Sequence, residues 1–167
     1  SAFEAYGMGR AYEEPPAVAW NGTTNEYLVV WPDRRDAIER GKDIYGRRVS
    51  ASGLPASGDF RISGPNATSD EYSSDVAWNA ATNEYLVVWQ DLRNDPTRGH
   101  DIYGRPISAT GSPLGGDLRI SGTRLLSDES LPRVAWNGTT HEYLVVWEDA
   151  RNQGSRSIDI YGRLVTG

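Results

Sequence analysis

The heptapeptide NEYLVVW occupies residues 25–31, returns unchanged at 83–89 and returns as HEYLVVW at 141–147, a spacing of 58 residues each time. Trp20, Trp78 and Trp136 keep this spacing, as do Asp33, Asp91 and Asp149, then Arg35, Arg93 and Arg151. The pentapeptide DIYGR follows in register at 43–47, 101–105 and 159–163. A fixed period in this range marks stacked supersecondary units, none of which buries its apolar surface alone. The 167 residues therefore read as one repeat domain, 1–167, with repeats at 17–64, 75–122 and 133–167.

Each unit reads as four strands. A short segment (AVAWN, DVAWN or RVAWN) leads into a polar turn of the NGTTNE type, which suits a hairpin, and EYLVVW forms the second strand. DIYGRRVS and its equivalents form the third strand; after a Gly- and Pro-rich turn, FRIS or LRIS forms the fourth. No segment has helical periodicity. In the second strand Tyr27, Val29 and Trp31 share one face and Leu28 and Val30 the other, because side chains alternate. Both faces are apolar, so this strand is expected to be covered on both sides.

The ends are out of phase. FEAYG at 3–7 aligns with FRISG at 60–64 and LRISG at 118–122, whereas the chain finishes on the third strand of its last unit, DIYGRLVTG. The segment 1–9 is thus expected to supply the fourth strand that the last unit lacks. Such an offset closes a ring and removes exposed strand edges.

The pattern VAWNGTTNEYLVVWxDxR…DIYGRxVS…FRIS resembles the repeats of bacterial extracellular β-propellers related to sialidase-type repeats, over nearly the whole chain. The resemblance implies four-stranded blades, secretion and association with surfaces or glycans. The sialidase S-x-D-x-G-x-T-W box is absent. The expected fold is all-β, with three propeller-like blades. Because propellers have about four to eight blades, three units leave other arrangements open. Two chains could build one six-bladed ring, chains could pass a strand onward into an open polymer, or the twelve strands could form a β-trefoil.

Composition narrows the partners. A net charge of −6 with arginines interspersed among acids argues against nucleic acid or an anionic membrane surface. Cysteine is absent, which excludes disulfides and thiolate metal sites. No apolar run approaches the ~20 residues needed to insert across a bilayer as a helix. The chain opens at Ser1, as a secreted protein does once its leader is removed and as a trimmed chain does too, and an extracellular or cell-surface location is expected.

The repeated polar residues are the candidate sites. Asp33 with Asp43, Asp91 with Asp101 and Asp149 with Asp159 could offer hard oxygens to Ca²⁺. The alternative is an Arg–Asp pair that pins the loop after strand two. Trp20, Trp78 and Trp136 could stack on sugar rings as three equivalent platforms, and Tyr45, Tyr103 and Tyr161 join them as ligand-binding candidates. The competing reading is core packing. The glycine after each tyrosine signals close backbone approach. Asn21-Gly-Thr, Asn66-Ala-Thr and Asn137-Gly-Thr fit the glycosylation acceptor pattern, but the first and third also suit turns that need positive φ.

His100 and His141 are unrepeated and form no recognised catalytic motif. Catalysis needs a unique constellation, whereas the distinctive polar residues here recur three-fold. The sequence is therefore read as a non-enzymatic, secreted module that binds glycans multivalently. A self-assembling homo-oligomeric subunit is the alternative, and a glycosidase is the third reading.

Overall fold

The computed structural model of the chain describes residues 14–35, 41–64, 69–94, 99–122, 127–152 and 157–167. All regular structure in these residues is β. The first unit holds β1 (Ala17–Asn21), β2 (Glu26–Asp33), β3 (Asp43–Ser50) and β4 (Phe60–Arg61). The second holds β5 (Glu71–Asn79), β6 (Glu84–Asp91), β7 (Asp101–Ser108) and β8 (Leu118–Arg119). The third holds β9 (Glu129–Asn137), β10 (Glu142–Asp149) and β11 (Asp159–Thr166).

Each unit is its own antiparallel sheet, with strand orders β1-β2-β3-β4, β5-β6-β7-β8 and β9-β10-β11. Among the described residues no strand pairs with a strand of another unit, which rules out the β-trefoil. The third sheet has three strands. The opening FEAYG, expected to complete it, lies outside the described residues.

Turn chemistry sets the hairpins. The Asn21 side-chain oxygen accepts the N–H groups of Thr23 and Thr24 at 2.9 and 3.0 Å, and the Asn25 N–H returns to the Asn21 carbonyl at 2.9 Å. Positive φ falls on the last turn residue, at Asn25 (58°), Asn83 (57°) and His141 (57°). The expectation that Asn-Gly supplied it is thus corrected, because a four-residue loop places its left-handed residue at the end. Asn21 is also buried, with its amide nitrogen donated to Asn83 at 2.9 Å, so its polar atoms are committed to the fold.

The glycines of DIYGR behave as expected. A Cβ on Gly46 would lie 2.8 Å from the Ile62 side chain, and one on Gly104 would lie 2.7 Å from that of Ile120. The residue just past the fourth strand packs directly over the third.

The sheets stack face to face. β5 packs on β1, β2 and β3, and β9 packs on β5, β6 and β7, most closely through the first strand of each sheet. The sheets are therefore wedges with β1, β5 and β9 at the narrow edge. One core layer holds Leu28, Val30 and Ile44 against Tyr85, Val87 and Trp89; the other holds Leu86, Val88 and Ile102 against Tyr143, Val145 and Trp147. The middle strand β6 is buried on both faces, as its double apolar pattern predicts. Burying apolar area stabilises the stack by about 25 cal/mol per Å².

Candidate functional site

The repeated residues build an arginine-pinned network at the loop end of each sheet. Asp33 lies directly opposite Asp43 in the strand ladder, as Asp91 does Asp101 and Asp149 does Asp159. Like charges placed opposite one another repel, so each pair needs a cation. Arg35 takes Asp33 at 2.6 Å and Asp59 at 2.9 Å. Arg93 takes Asp91 at 2.5 Å and Asp117 at 2.9 Å, and Arg151 pairs with Asp149. The indole N–H groups of Trp31 and Trp89 each donate to the same carboxylates at 2.9 Å. Arg119 pairs with Asp101, Arg61 lies 3.6 Å from Asp43, and Asn152 donates to Asp159 at 3.0 Å.

Burial alone would raise the carboxyls of Asp33 and Asp149, but the hydrogen bonds from Arg35 with Trp31, and from Arg151, outweigh it and hold both below the usual aspartate range. Among the described residues no three His, Cys, Asp or Glu side chains are arranged to hold a metal ion. The candidate tyrosines lie under the same arginines, with guanidinium carbons 4.2, 4.0 and 3.8 Å from the ring centres of Tyr45, Tyr103 and Tyr161.

The candidate tryptophans sit at the opposite, hairpin end. Trp20 stacks at a tilt on Tyr27, with ring centres 4.8 Å apart, and Trp136 does the same on Tyr143 at 4.7 Å. Trp78 donates to Asn83 at 3.2 Å and lies over Gly22 of the preceding turn. Trp78 and Trp136 thus pack against the two internal cores, whereas Trp20 is exposed.

A different set of residues meets at the narrow edge. The strands β5 and β9 begin at Glu71 and Glu129, ahead of the repeated VAWN, and both bulge there. Register slips between Tyr72 and Asp75 opposite β6, and on β10 between Val146 and Glu148. Ser73 and Leu131 take φ of 48° and 50°. Such a conformation costs a non-glycine residue about 1–3 kcal/mol and gathers at functional sites. The bulges and the residues before β1 line one cavity of 360 Å³, formed by Pro15, Pro16, Ala17 and Val18, by Ser73, Ser74 and Asp75, and by Leu131 and Arg133.

The cavity is polar at chosen points. Asp75 accepts the Val134 N–H at 2.8 Å. The Arg133 guanidinium donates only to the Pro132 carbonyl, at 2.7 Å, with no carboxylate in ion-pair range among the described residues. Ser74 is buried, and its hydroxyl has no hydrogen-bond partner among the described residues. Beside the cavity, Glu14 accepts the Ser73 N–H at 3.3 Å and pairs with Lys42, whose ammonium lies 3.9 Å from the Tyr72 ring centre. Burial and the hydrogen bond to Asp70 push the Tyr72 hydroxyl up to about 12.

Sequence reasoning missed this site, because its signal is an absence of repetition. Ala17, Asp75 and Arg133 occupy one repeat position, and Pro15, Ser73 and Leu131 another. The three units are most alike where they build the sheets and least alike where their first strands converge.

No protein-family model matches the chain, and no curated protein matches it in sequence. Its fold does have solved counterparts, β-propeller glycosidases among them. A Hadza microbial sialidase superposes with a TM-score of 0.67 at 8% identity, over 92% of this chain and 35% of that one. The GH93 α-L-arabinofuranosidase of Fusarium graminearum gives 0.61 at 14%, over 93% and 45%. The endo-arabinase of Bacteroides thetaiotaomicron gives 0.54 at 11%, over 91% and 55%. The chain thus spans about half the length of these proteins or less. The expectation of a non-enzymatic module is corrected by this finding, since the same fold carries glycoside hydrolases. Three-fold repetition of the sheets did not exclude a catalytic centre, because the residues converging at the narrow edge are not repeated. The chain shares the β-propeller fold of glycan-acting enzymes.

Proposed function

We propose that this protein acts on carbohydrate, with the sugar seated in the cavity between β1, β5 and β9. The observation that carries the reading is the convergence there of unrepeated, strained and under-bonded groups. Asp75 and Arg133 line a cavity beside the buried, unpartnered Ser74 hydroxyl, and its Ser73 and Leu131 backbones are held at positive φ. A pocket of a few hundred Å³ with a few convergent polar groups is a ligand site. Glycosidic cleavage needs two carboxyl groups, one to protonate the leaving oxygen and one to activate water or attack. Asp75 in the cavity and Glu14 at its edge are the pair for that role. Arg133, with no carboxylate in ion-pair range among the described residues, orients hydroxyl or carboxylate groups of the sugar. The resemblance of the repeats to those of extracellular propellers fits this role.

The test is a panel of neutral and acidic oligosaccharides (arabino-, galacto- and sialyl-oligosaccharides), with reducing-end release and calorimetric binding measured together. Asp75→Asn should lower release at least ~100-fold while leaving binding within ~10-fold, and Arg133→Ala should weaken binding ~10-fold or more. The absence of both heat and release across the panel would overturn the proposal. So would activity indifferent to Asp75→Asn.

A further inference from the structure

The stack of three sheets ends in two open faces, and the chain itself shows what fits them. Its two internal seams are built from the same residues 58 positions apart. At each, the Leu and Ile of one sheet meet the Val and Tyr of the next. The Leu is 1% exposed at Leu28 and 2% at Leu86, yet 46% at Leu144. The Ile is fully buried at Ile44 and Ile102, yet 70% exposed at Ile160. On the other side, Val76 is 6% exposed but Val18 60%, and Tyr85 is 1% exposed but Tyr27 37%.

The polar partners follow the same rule. Asn21 donates to Asn83 across the first seam at 2.9 Å, and its counterpart Asn79 is buried at the second. Asn137 on one open face, and Asn25 with Tyr27 on the other, are the exposed third set.

We infer that two copies of the chain associate through these faces. The β9–β11 face of each copy meets the β1–β3 face of the other, so that two arcs close into one six-bladed ring. The contact is head to tail, yet it occurs twice and closes on itself with two-fold symmetry. The occupant is a second copy because each open face is one half of a seam that the chain already makes twice. Six blades lie within the range that propellers adopt, and closure removes both apolar faces from water. A groove of 480 Å³ on the β1–β3 face, lined by Val18, Tyr27, Val29 and Val49, is the receiving surface. Val18 also lines the cavity at the narrow edge, so the partner copy would wall that cavity too. This inference stands without the carbohydrate reading, and the failure of one leaves the other intact.

Sedimentation equilibrium over a wide concentration range tests it. The 167-residue chain should give a two-chain mass, with a blue shift of tryptophan fluorescence on association as Trp20 is covered. Ile160→Glu and Val18→Glu alter side chains already exposed in the single chain, so both variants should remain folded by circular dichroism. Each should weaken association at least ~100-fold. Leu114→Glu, in the exposed turn before β8, should leave the mass unchanged. A one-chain mass up to the highest soluble concentration overturns the inference. A polymer that grows with concentration, or a dimer indifferent to both face variants, also overturns it.

Discussion

Replacing Arg93 with methionine tests whether the arginine network holds the sheets or merely decorates them. The Arg93 guanidinium lies 2.5 Å from Asp91, 2.9 Å from Asp117 and 3.7 Å from Glu71, three carboxyls with almost no solvent contact. It also covers the Tyr103 ring at 4.0 Å. Methionine keeps the length and apolar stem but leaves Asp91 and Asp117 buried beside Glu71 with this cation gone. Breaking a buried pair from one side costs about 3–5 kcal/mol, a large part of the ~5–15 kcal/mol that holds a domain folded. With a urea slope of about 2 kcal/mol per molar, the midpoint should fall by about 2 M. Arg35→Met is the internal comparison, because Arg35 is one-third exposed and its partner Asp59 is partly wet. It should cost about 1–2 kcal/mol. The double change Asp91→Leu with Arg93→Met should recover part of the loss by removing both charges. Urea unfolding followed by tryptophan fluorescence measures all three. A cost for Arg93→Met under ~1 kcal/mol, or no larger than that of Arg35→Met, refutes the reasoning.

Other outcomes follow from single residues. Burial, assisted by Asp149 and Asp101, raises the Glu129 carboxyl to about 7, so the folded chain keeps a proton that the unfolded chain releases near 4.5. Stability should therefore fall as pH rises between those values, by about 3 kcal/mol in full. A pH series of thermal melts should show Glu129→Gln flattening that decline. The lowered carboxyls of Asp33 and Asp149 act the other way, so their contribution is lost as pH drops below about 4. Gly104→Ala places a methyl 2.7 Å from Ile120 and 3.0 Å from the Val87 carbonyl, and calorimetry should show a loss of about 1–3 kcal/mol. Gly115→Ala meets nothing within 4 Å and should be near neutral in the same measurement. His141→Gly relieves a side chain held at φ 57° and should raise the melting midpoint, by about 0.5–1 kcal/mol of stability.

Much of the fold was legible in the chain because its causes are local. Alternating aromatic and β-branched residues make EYLVVW a strand wherever it occurs. Gly46 and Gly104 announce the close packing of Ile62 and Ile120. The Asp–Arg spacing announces a pinned loop, and Arg35, Arg93 and Arg151 pin it. The hairpin was read correctly as a turn, but its left-handed residue was assigned to the wrong end, since loop length rather than the Asn-Gly pair decides the position. The cavity escaped notice because no motif marks it. Its residues come from positions near 15, 73 and 131, and each differs from its counterparts in the other units.

By itself, then, the sequence determined three copies of one sheet, their turns and their internal charge pairs, all of which depend on neighbours within about 58 residues. Only the tertiary structure decided which copy of a residue is covered. Leu28, Leu86 and Leu144 stand in identical heptapeptide cores, yet two are buried and one faces water. Burial belongs to the stacking of sheets, and a repeated sequence cannot state which of its copies lies in the middle of the stack. The same stacking brought Asp75, Arg133 and Ser74 to one cavity, because the sheets pack most closely at their first strands.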